Sequence, residues 1–343
     1  MSKRLYPYPF TAIVGQENLK LGLILNMIDS NIGRLLAFGE KGTAKSTAIR
    51  SMAKLLPEIE YVKGCNFGCN PNDPSVMCES CKEKYVKKIP FDISKRKMRV
   101  VELPVSSTED RVVGTIDLEE AIKKGDKKFE PGILADANRG ILYIDEVNLL
   151  DDHIVDIILD SAAMGVNTIE REGISYSHPA KFILVGTMNP EEGELRPQLL
   201  DRFGLSIRIE GIRNPKDRVK IIKYRNEYDE NPESFVNKFK DEEEKLIKKI
   251  TEARINLKNV IISDEILLAI AKVSVELEVD GHRSDMVMMK ASRAYASFMG
   301  KTEVDLDDIK KIASFVYMHR MRRLPFEQAK ELDLGIIEKI IES

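Results

Sequence analysis

Gly39-Glu40-Lys41-Gly42-Thr43-Ala44-Lys45-Ser46 decides how this chain is read. The run fits the pattern G-x-x-x-x-G-K-[ST] except where Ala44 stands for the second Gly. In that pattern the glycines let backbone N–H groups close around phosphates, the Lys reaches the β and γ oxygens, and the hydroxyl holds Mg²⁺. The octapeptide follows Gly33-Arg34-Leu35-Leu36-Ala37-Phe38, an apolar run with strand character. It precedes a segment from Thr47 to Leu56 that is helical in period and stopped by Pro57. Strand, loop and helix is the context a phosphate loop needs, and the helix N-terminus adds its dipole and free N–H groups. A surface turn that matches by chance would lack that context.

Hydrolysis also needs a carboxylate that orders the metal and a group that activates water. Ile141-Leu142-Tyr143-Ile144-Asp145-Glu146 offers both. Four apolar residues suit a strand buried on both faces of a parallel sheet. Asp145 at its end can order Mg²⁺ with Ser46, and Glu146 can polarise the attacking water as general base. The plainer reading is a core strand ending in two solvated acids. A third apolar run, Lys181 to Met188, leads to Asn189, at the edge where open parallel sheets bind ligands. Asn189 can orient water or touch the γ-phosphate, and Asn-Pro is also a turn starter. Arg202 ends a short helical segment before the strand-like Leu205-Ser206-Ile207-Arg208-Ile209. It lies off its own phosphate loop but could serve a neighbour's, where a fixed positive charge stabilises phosphoryl transfer. A pairing with a nearby acid is the alternative.

The chain has 343 residues, which suggests two domains, and its 43% hydrophobic content can build a core. There is no Trp, so that core is expected to be aliphatic. A net charge of −3 counts against a nucleic-acid partner. No apolar run approaches the ~18–20 residues of a membrane span, and the first ten residues lack the apolar centre of a signal peptide. A cytoplasmic protein with no membrane partner is expected.

In this order the pieces resemble the AAA+ ATPases, and longer stretches resemble the magnesium chelatase subunit I family. They are Phe129 to Gly140 running into ILYIDEVNLLDDH (141–153), Gly165 to Ser175, GTMNPEEGELRPQLLDRFG (186–204) and Tyr8 to Glu17. The resemblance implies an α/β AAA+ P-loop NTPase core, a parallel sheet flanked by helices, with a C-terminal helical lid. It implies domains at 1–210 and 211–343, with a cysteine-rich insertion at about 62–90, a helical insertion at about 103–129 and a β-hairpin at about 164–181, the insertions engaging partners. It implies that Gly39, Gly42, Thr43, Ala44, Lys45, Ser46 and Thr47 bind ATP as Walker A, with Asp145 and Glu146 as Walker B. Ile13, Val14 and Gly15 would border the adenine. Asn189 would be sensor 1, Arg202 the arginine finger, and Arg283, in Gly281-His282-Arg283-Ser284-Asp285, the sensor 2 phosphate contact. Ala44 departs from the usual Gly, and ATP binding is expected to survive it.

All four cysteines fall within 17 residues: Cys65, Cys69, Cys78 and Cys81. Cys78-Glu79-Ser80-Cys81 is a C-x₂-C knuckle, and the 65/69 spacing lies within the looser range of structural zinc sites. Stable disulfides are rare in cytosolic proteins. Three readings stay open: a structural Zn²⁺, an iron–sulfur cluster, or free or redox-active thiols. Any metal here would brace the loop rather than do chemistry.

From Gly211 onward the pattern is helical. The charge-rich segment 241–250 reads as a solvated face with i,i+4 pairs, and Ser263 as an N-cap. Met286, Met288 and Met289 suit a core, and Met318-His319-Arg320-Met321-Arg322-Arg323 a solvated basic helix end. Nothing up to Ser343 reads as an acidic linker or integrin-like domain, which in the family marks the larger D-type subunit. The resemblance therefore implies an ATP-hydrolysing motor, a homo-oligomer in a hexameric ring. It would act with a D-type subunit carrying a VWA domain and a large catalytic chelatase subunit that inserts the metal into a tetrapyrrole. Two other readings are a MoxR-like AAA+ chaperone remodelling a metalloprotein with an integrin-like (VWA) partner, and a DNA-directed motor, which the charge disfavours.

Overall fold

A computed structural model of the chain describes residues 6–40, 42–116, 129–171 and 174–321. Residues 117–128 of the expected 103–129 insertion, and Arg322, Arg323 and the rest of the lid to 343, lie outside the described residues. The strands are β1 (Arg34–Gly39), β2 (Glu58–Val62), β3 (Ile93–Lys97), β4 (Val100–Leu103), β5 (Gly114–Ile116), β6 (Phe129–Pro131), β7 (Ile141–Ile144), β8 (Val166–Arg171), β9 (Ile174–Pro179), β10 (Ile183–Met188) and β11 (Leu205–Ile209). Five of them form a sheet in the order β11-β1-β10-β7-β4. β1 runs parallel to β11, and β7 runs parallel to β4 and β10. Every residue of β7 and β10 is buried, as in a parallel sheet covered by helices on both faces. The α/β core expected from the three apolar runs is present.

Contacts divide the chain into two compact units, Met1–Leu55 with Met188–Ser343, and Leu56–Thr187. In the first, the helix Glu17–Ile28 packs on β1 and β11. It comes close because Gly22 faces the strands: a Cβ there would lie 2.2 Å from Ile207 Cδ1 and 2.9 Å from Leu35 Cδ1. Helices follow at Pro215–Glu230, Pro232–Lys238, Lys240–Asn256, Asp264–Glu276, Arg283–Phe298 and Leu306–Tyr317. Side-chain caps from Asn214, Asn231, Ser263 and Asp305 start four of them. Met288 is core, whereas Met286 is half exposed.

Two readings of charged segments need correction. The helix Lys240–Asn256 carries exposed i,i+4 pairs at Lys240–Glu244 and Lys248–Glu252. Glu243, however, is buried and accepts the Thr11 N–H at 3.1 Å. Burial raises its carboxyl above the usual value, the backbone N–H groups of Thr11 and Phe10 opposing this. The basic stretch is not solvated at its start either. His319 and Arg320 are buried. His319 Nε2 lies 3.0 Å from the Phe203 carbonyl oxygen. Arg320 donates to the carbonyls of Phe203, Gly204 and Val316 and to the Asp201 carboxylate. Burial lowers the Arg320 guanidinium to about 10, against the opposing pull of Asp201. Four fixed acceptors explain how a cation sits there.

In the second unit, β2 pairs antiparallel with β3, β5 with β6, and β8 with β9. The helix Asp152–Met164 ends at Gly165, whose φ of 71° turns the chain into the β8–β9 hairpin.

Replacing Gly22 with Val should overpack the helix against β1 and β11 and lower stability by about 1–3 kcal/mol. Thermal unfolding should show a Tm lower by several degrees; an unchanged Tm would mean the close approach is not rigid.

Candidate nucleotide site

β1 delivers the chain into the loop at Gly39, where a Cβ would lie 2.0 Å from the Ile209 carbonyl oxygen, so no side chain fits. From Gly42 to Ala44 the sign of φ alternates, with Thr43 between two residues of positive φ. Gly42 has φ +77° and Ala44 φ 65°, ψ 17°, the left-handed region. Alternation of this kind turns successive N–H groups toward one side and makes a concave anion cradle. Ala44 thus stands where glycine is the natural residue, and its methyl costs about 1–2 kcal/mol in that conformation. The helix Lys45–Ser51 follows, continued by a 3₁₀ turn at Met52–Lys54. The Lys45 ammonium donates to the Gly39 carbonyl and to that of Glu40 at 3.0 Å, and Thr43 Oγ1 donates to the Glu40 carbonyl at 2.9 Å.

Within the same unit lies a cavity of about 1110 Å³, at the upper end of the ~300–1,000 Å³ common for ligand sites. The loop residues Gly39, Gly42, Thr43, Ala44 and Thr47 line it. So do Ile13 and Val14 from the N-terminal segment, and Asn189. Gly15, at φ +69°, packs beside Ile212, itself a lining residue. Asn189 is buried, and its Oδ1 accepts the Glu191 N–H at 3.3 Å, capping the turn Pro190–Glu192. Four arginines, Arg208, Arg213, Arg218 and Arg225, also line the cavity. Sequence reading gave them no role, because nothing in their spacing sets them apart from surface charge.

Arg202 and Arg283 are not among the lining residues. Arg283 donates to the Asp201 carboxylate at 2.5 Å and to its carbonyl at 3.2 Å. Asp201 therefore receives both Arg283 and Arg320, while the Arg202 carbonyl receives Arg34 at 2.5 Å. The loop holding Arg202 is tied down on both sides.

In the second unit, Asp145 and Glu146 follow β7 directly. Both are half-buried. Glu146 has φ 57° and ψ 57°, a costly conformation for a residue with a long side chain. Thr187 explains how it is held. Its Oγ1 accepts the Glu146 N–H at 3.0 Å and donates to Asp145 Oδ1 at 2.6 Å. Thr187 is 1% exposed, so the two bonds are shielded from water. Motif reading gave this residue no part in the site. The available signal was a lone hydroxyl in an apolar run, two residues before Asn189.

The second unit also gathers the cysteines. All four thiols are free, and their sulfurs lie within 4.8 Å of one another. Hydrogen bonds from the Cys69 and Cys78 thiols pull Cys65 below the ordinary thiol value, and burial raises Cys81 to about 12.

Ala44→Gly should stabilise the protein by about 1 kcal/mol, the left-handed strain relieved less the entropy Gly gains when unfolded. Its Tm should rise by a few degrees with ATP still bound; a fall would mean the methyl packs usefully. Thr187→Val keeps the shape and removes the hydroxyl. ATP turnover should drop on the order of 10-fold with nucleotide affinity unchanged, the usual effect of losing an orienting partner. Wild-type turnover in that variant would remove Thr187 from the site.

Comparison with known proteins gives the family. A model described as magnesium chelatase, subunit ChlI matches residues 9–198, and one described as AAA lid domain matches 267–340. The chain is 57% identical over 322 residues to a magnesium-chelatase subunit ChlI homolog of Methanocaldococcus jannaschii, covering 94% of this chain and 87% of that protein. It is 51% identical over 334 residues to magnesium-chelatase subunit ChlI of Synechocystis, covering 97% and 93%. Among solved structures it resembles a chain in a cryo-EM-based reconstruction of the complex between subunits BchI and BchD of magnesium chelatase. That match has TM-score 0.54 and 43% identity, over 93% of this chain and 97% of the other. With a phosphate loop at the end of β1, two carboxylates at the end of β7 and identity at this level over nearly its whole length, the chain belongs to the magnesium chelatase subunit ChlI family and is an AAA+ ATPase.

Proposed function

We propose that this ATPase is the motor subunit of a magnesium-chelatase-type complex, and that its ATP hydrolysis drives metal insertion into a tetrapyrrole held by a separate large catalytic subunit. The carrying observation is the phosphate loop lining a nucleotide-sized cavity in a chain of this family. The D-type partner is inferred from the BchI–BchD assembly of the structural relative. Lys45 would neutralise the β/γ-phosphates, Ser46 and Asp145 would hold Mg²⁺, and Glu146 would take the proton of the attacking water. Asn189 would orient that water. In a ring of identical subunits, expected to be a hexamer, Arg202 of one copy would stabilise charge at the next copy's γ-phosphate, and Arg283 would report the nucleotide state. The domains of this reading are a nucleotide-binding region, 1–210, and a lid, 211–343, the latter supported by the lid match. No helix among the described residues is long and apolar enough to cross a membrane, and a cytoplasmic location is part of the reading. The four-cysteine cluster adds a second metal role, with Zn²⁺ as the ion. No observation favours the MoxR-like alternative over this reading.

The direct test mixes the purified chain with D-type and catalytic subunits, MgATP and a porphyrin, and follows metal insertion by absorbance. ATP-dependent insertion is expected; intact ATPase activity with no insertion would refute the chelatase role. Glu146→Gln should trap ATP and cut turnover by at least ~100-fold, the range for loss of a general base. Unchanged turnover would exclude Glu146 as the base. Arg202→Ala should bind nucleotide yet not hydrolyse it. Mixing it with a Lys45→Ala subunit that keeps its own Arg202 should restore activity; no recovery would rule out action in trans.

A further inference from the structure

The cysteine quartet sits in a small apolar core of its own, with Val62, Phe67, Met77 and Ala135. Cys69, Cys78 and Cys81 are buried and Cys65 is half-buried. Four sulfurs about 2.3 Å from one Zn²⁺ at the corners of a tetrahedron lie about 3.8 Å apart. Cys65 Sγ and Cys78 Sγ are 3.8 Å apart, and no pair exceeds 4.8 Å. Sulfurs this close enclose a single ion rather than a multi-iron cluster. The Cys78 backbone N–H donates to Cys69 Sγ at 3.1 Å, the kind of outer-shell donor that orients a metal-bound thiolate.

Charge points the same way. Four thiolates around Zn²⁺ carry a net charge of −2, and two guanidiniums stand beside them. Arg139 Nη1 donates to the Gly68 carbonyl at 3.2 Å. Arg96 packs on Gly68 so closely that a Cβ there would lie 2.6 Å from its Nη2. Arg96 Nε is buried with no hydrogen-bond partner among the described residues. Burial lowers both guanidiniums, Asp136 opposing this at Arg96, and Cys69 and Asp73 opposing it at Arg139; a tetrathiolate centre beside them adds negative charge where a half-buried cation needs it.

The loop that holds Cys65 and Cys69 is also a support. Asn138 Nδ2 donates to the Phe67 carbonyl at 2.8 Å and Arg139 Nη1 to the Gly68 carbonyl, while the same Nη1 also reaches the Glu60 carbonyl of β2 at 2.6 Å. These two residues lead into β7, the strand that ends at Asp145 and Glu146. The Phe67 ring stacks on His178 of β9 at 4.8 Å between centroids, and Phe129 stacks on Tyr176 at 4.4 Å. We propose that Cys65, Cys69, Cys78 and Cys81 bind one Zn²⁺ as a tetrathiolate, and that this ion holds the 65–69 loop as the common support of β7 and the β8–β9 hairpin. This rests on the Zn²⁺ reading of the quartet and is independent of the chelatase role.

The test uses the full chain, purified under reducing conditions without chelator. Elemental analysis should give about one Zn per chain, and refolding with Co²⁺ should give the intense thiolate-to-cobalt absorption of a tetrahedral site. Zn below about a tenth of an equivalent, no cobalt spectrum, or iron in place of Zn would overturn the metal assignment. Stripping Zn with a chelator should speed amide exchange in 58–69 and 166–179 by at least about 10-fold, with recovery when Zn is returned. Zn present but exchange unchanged on its removal would keep the site and overturn the support role. Nucleotide affinity, set in the other unit, should change less than about 3-fold. The cobalt spectrum of the wild-type chain carries the assignment whether or not a Cys78→Ser variant folds.

Discussion

A parallel sheet covered on both faces leaves its strands only one place to present polar chemistry, and that is their ends. β7 and β10 are buried at every residue. A charge inside either would be stranded in apolar surroundings at severe cost. Polar groups are therefore pushed to the residues just past each strand, as with Asp145 and Glu146 after β7 and Asn189 after β10. The helix Glu17–Ile28 covers one face through Gly22, and Arg320 and Arg283 fix the loop around Asp201.

The backbone at these ends is not relaxed. Ala44 and Glu146 both hold positive φ, one in each unit. Strain of this kind persists only where neighbours over-determine it. For Glu146 the neighbour is Thr187. For Ala44 it is the geometry of the loop itself, set by Gly39 pressed against the Ile209 carbonyl and by the turn at Gly42. A chain with Ala at this point keeps the loop form at a small cost in stability.

Local features were legible in the sequence because local physics produces them. An eight-residue phosphate loop, a four-residue apolar run before two acids and a tight group of cysteines announce themselves without any fold. What stayed hidden depends on distant pairing. Thr187 acquires its role only because β10 and β7 align Gly186 with Ile144, which sets Thr187 beside Asp145. Glu243 reads as one of many helix acids until Thr11, 232 positions away, donates to it. His319 and Arg320 read as solvated until the carbonyls of the Phe203 region, more than 110 positions away, receive them. The cysteine spacing was visible, whereas the grip of Asn138 and Arg139 on the same loop was not. Periodicity and spacing report what an element is, and long-range partners decide what it does.

The Thr187 hydroxyl carries one proton, and that proton is committed to Asp145. Its oxygen lone pair is in turn committed to the Glu146 peptide. The two bonds thus form a short directional chain, from peptide through hydroxyl to carboxylate, in which each bond polarises the next. Asp145 and Glu146 are consequently not two independently adjustable acids. Swinging Asp145 away leaves the hydroxyl without this acceptor, weakens it as an acceptor in turn, and loosens one of the contacts that hold Glu146 in its left-handed conformation. A change at the first carboxylate is transmitted to the second through a single rotatable C–O bond.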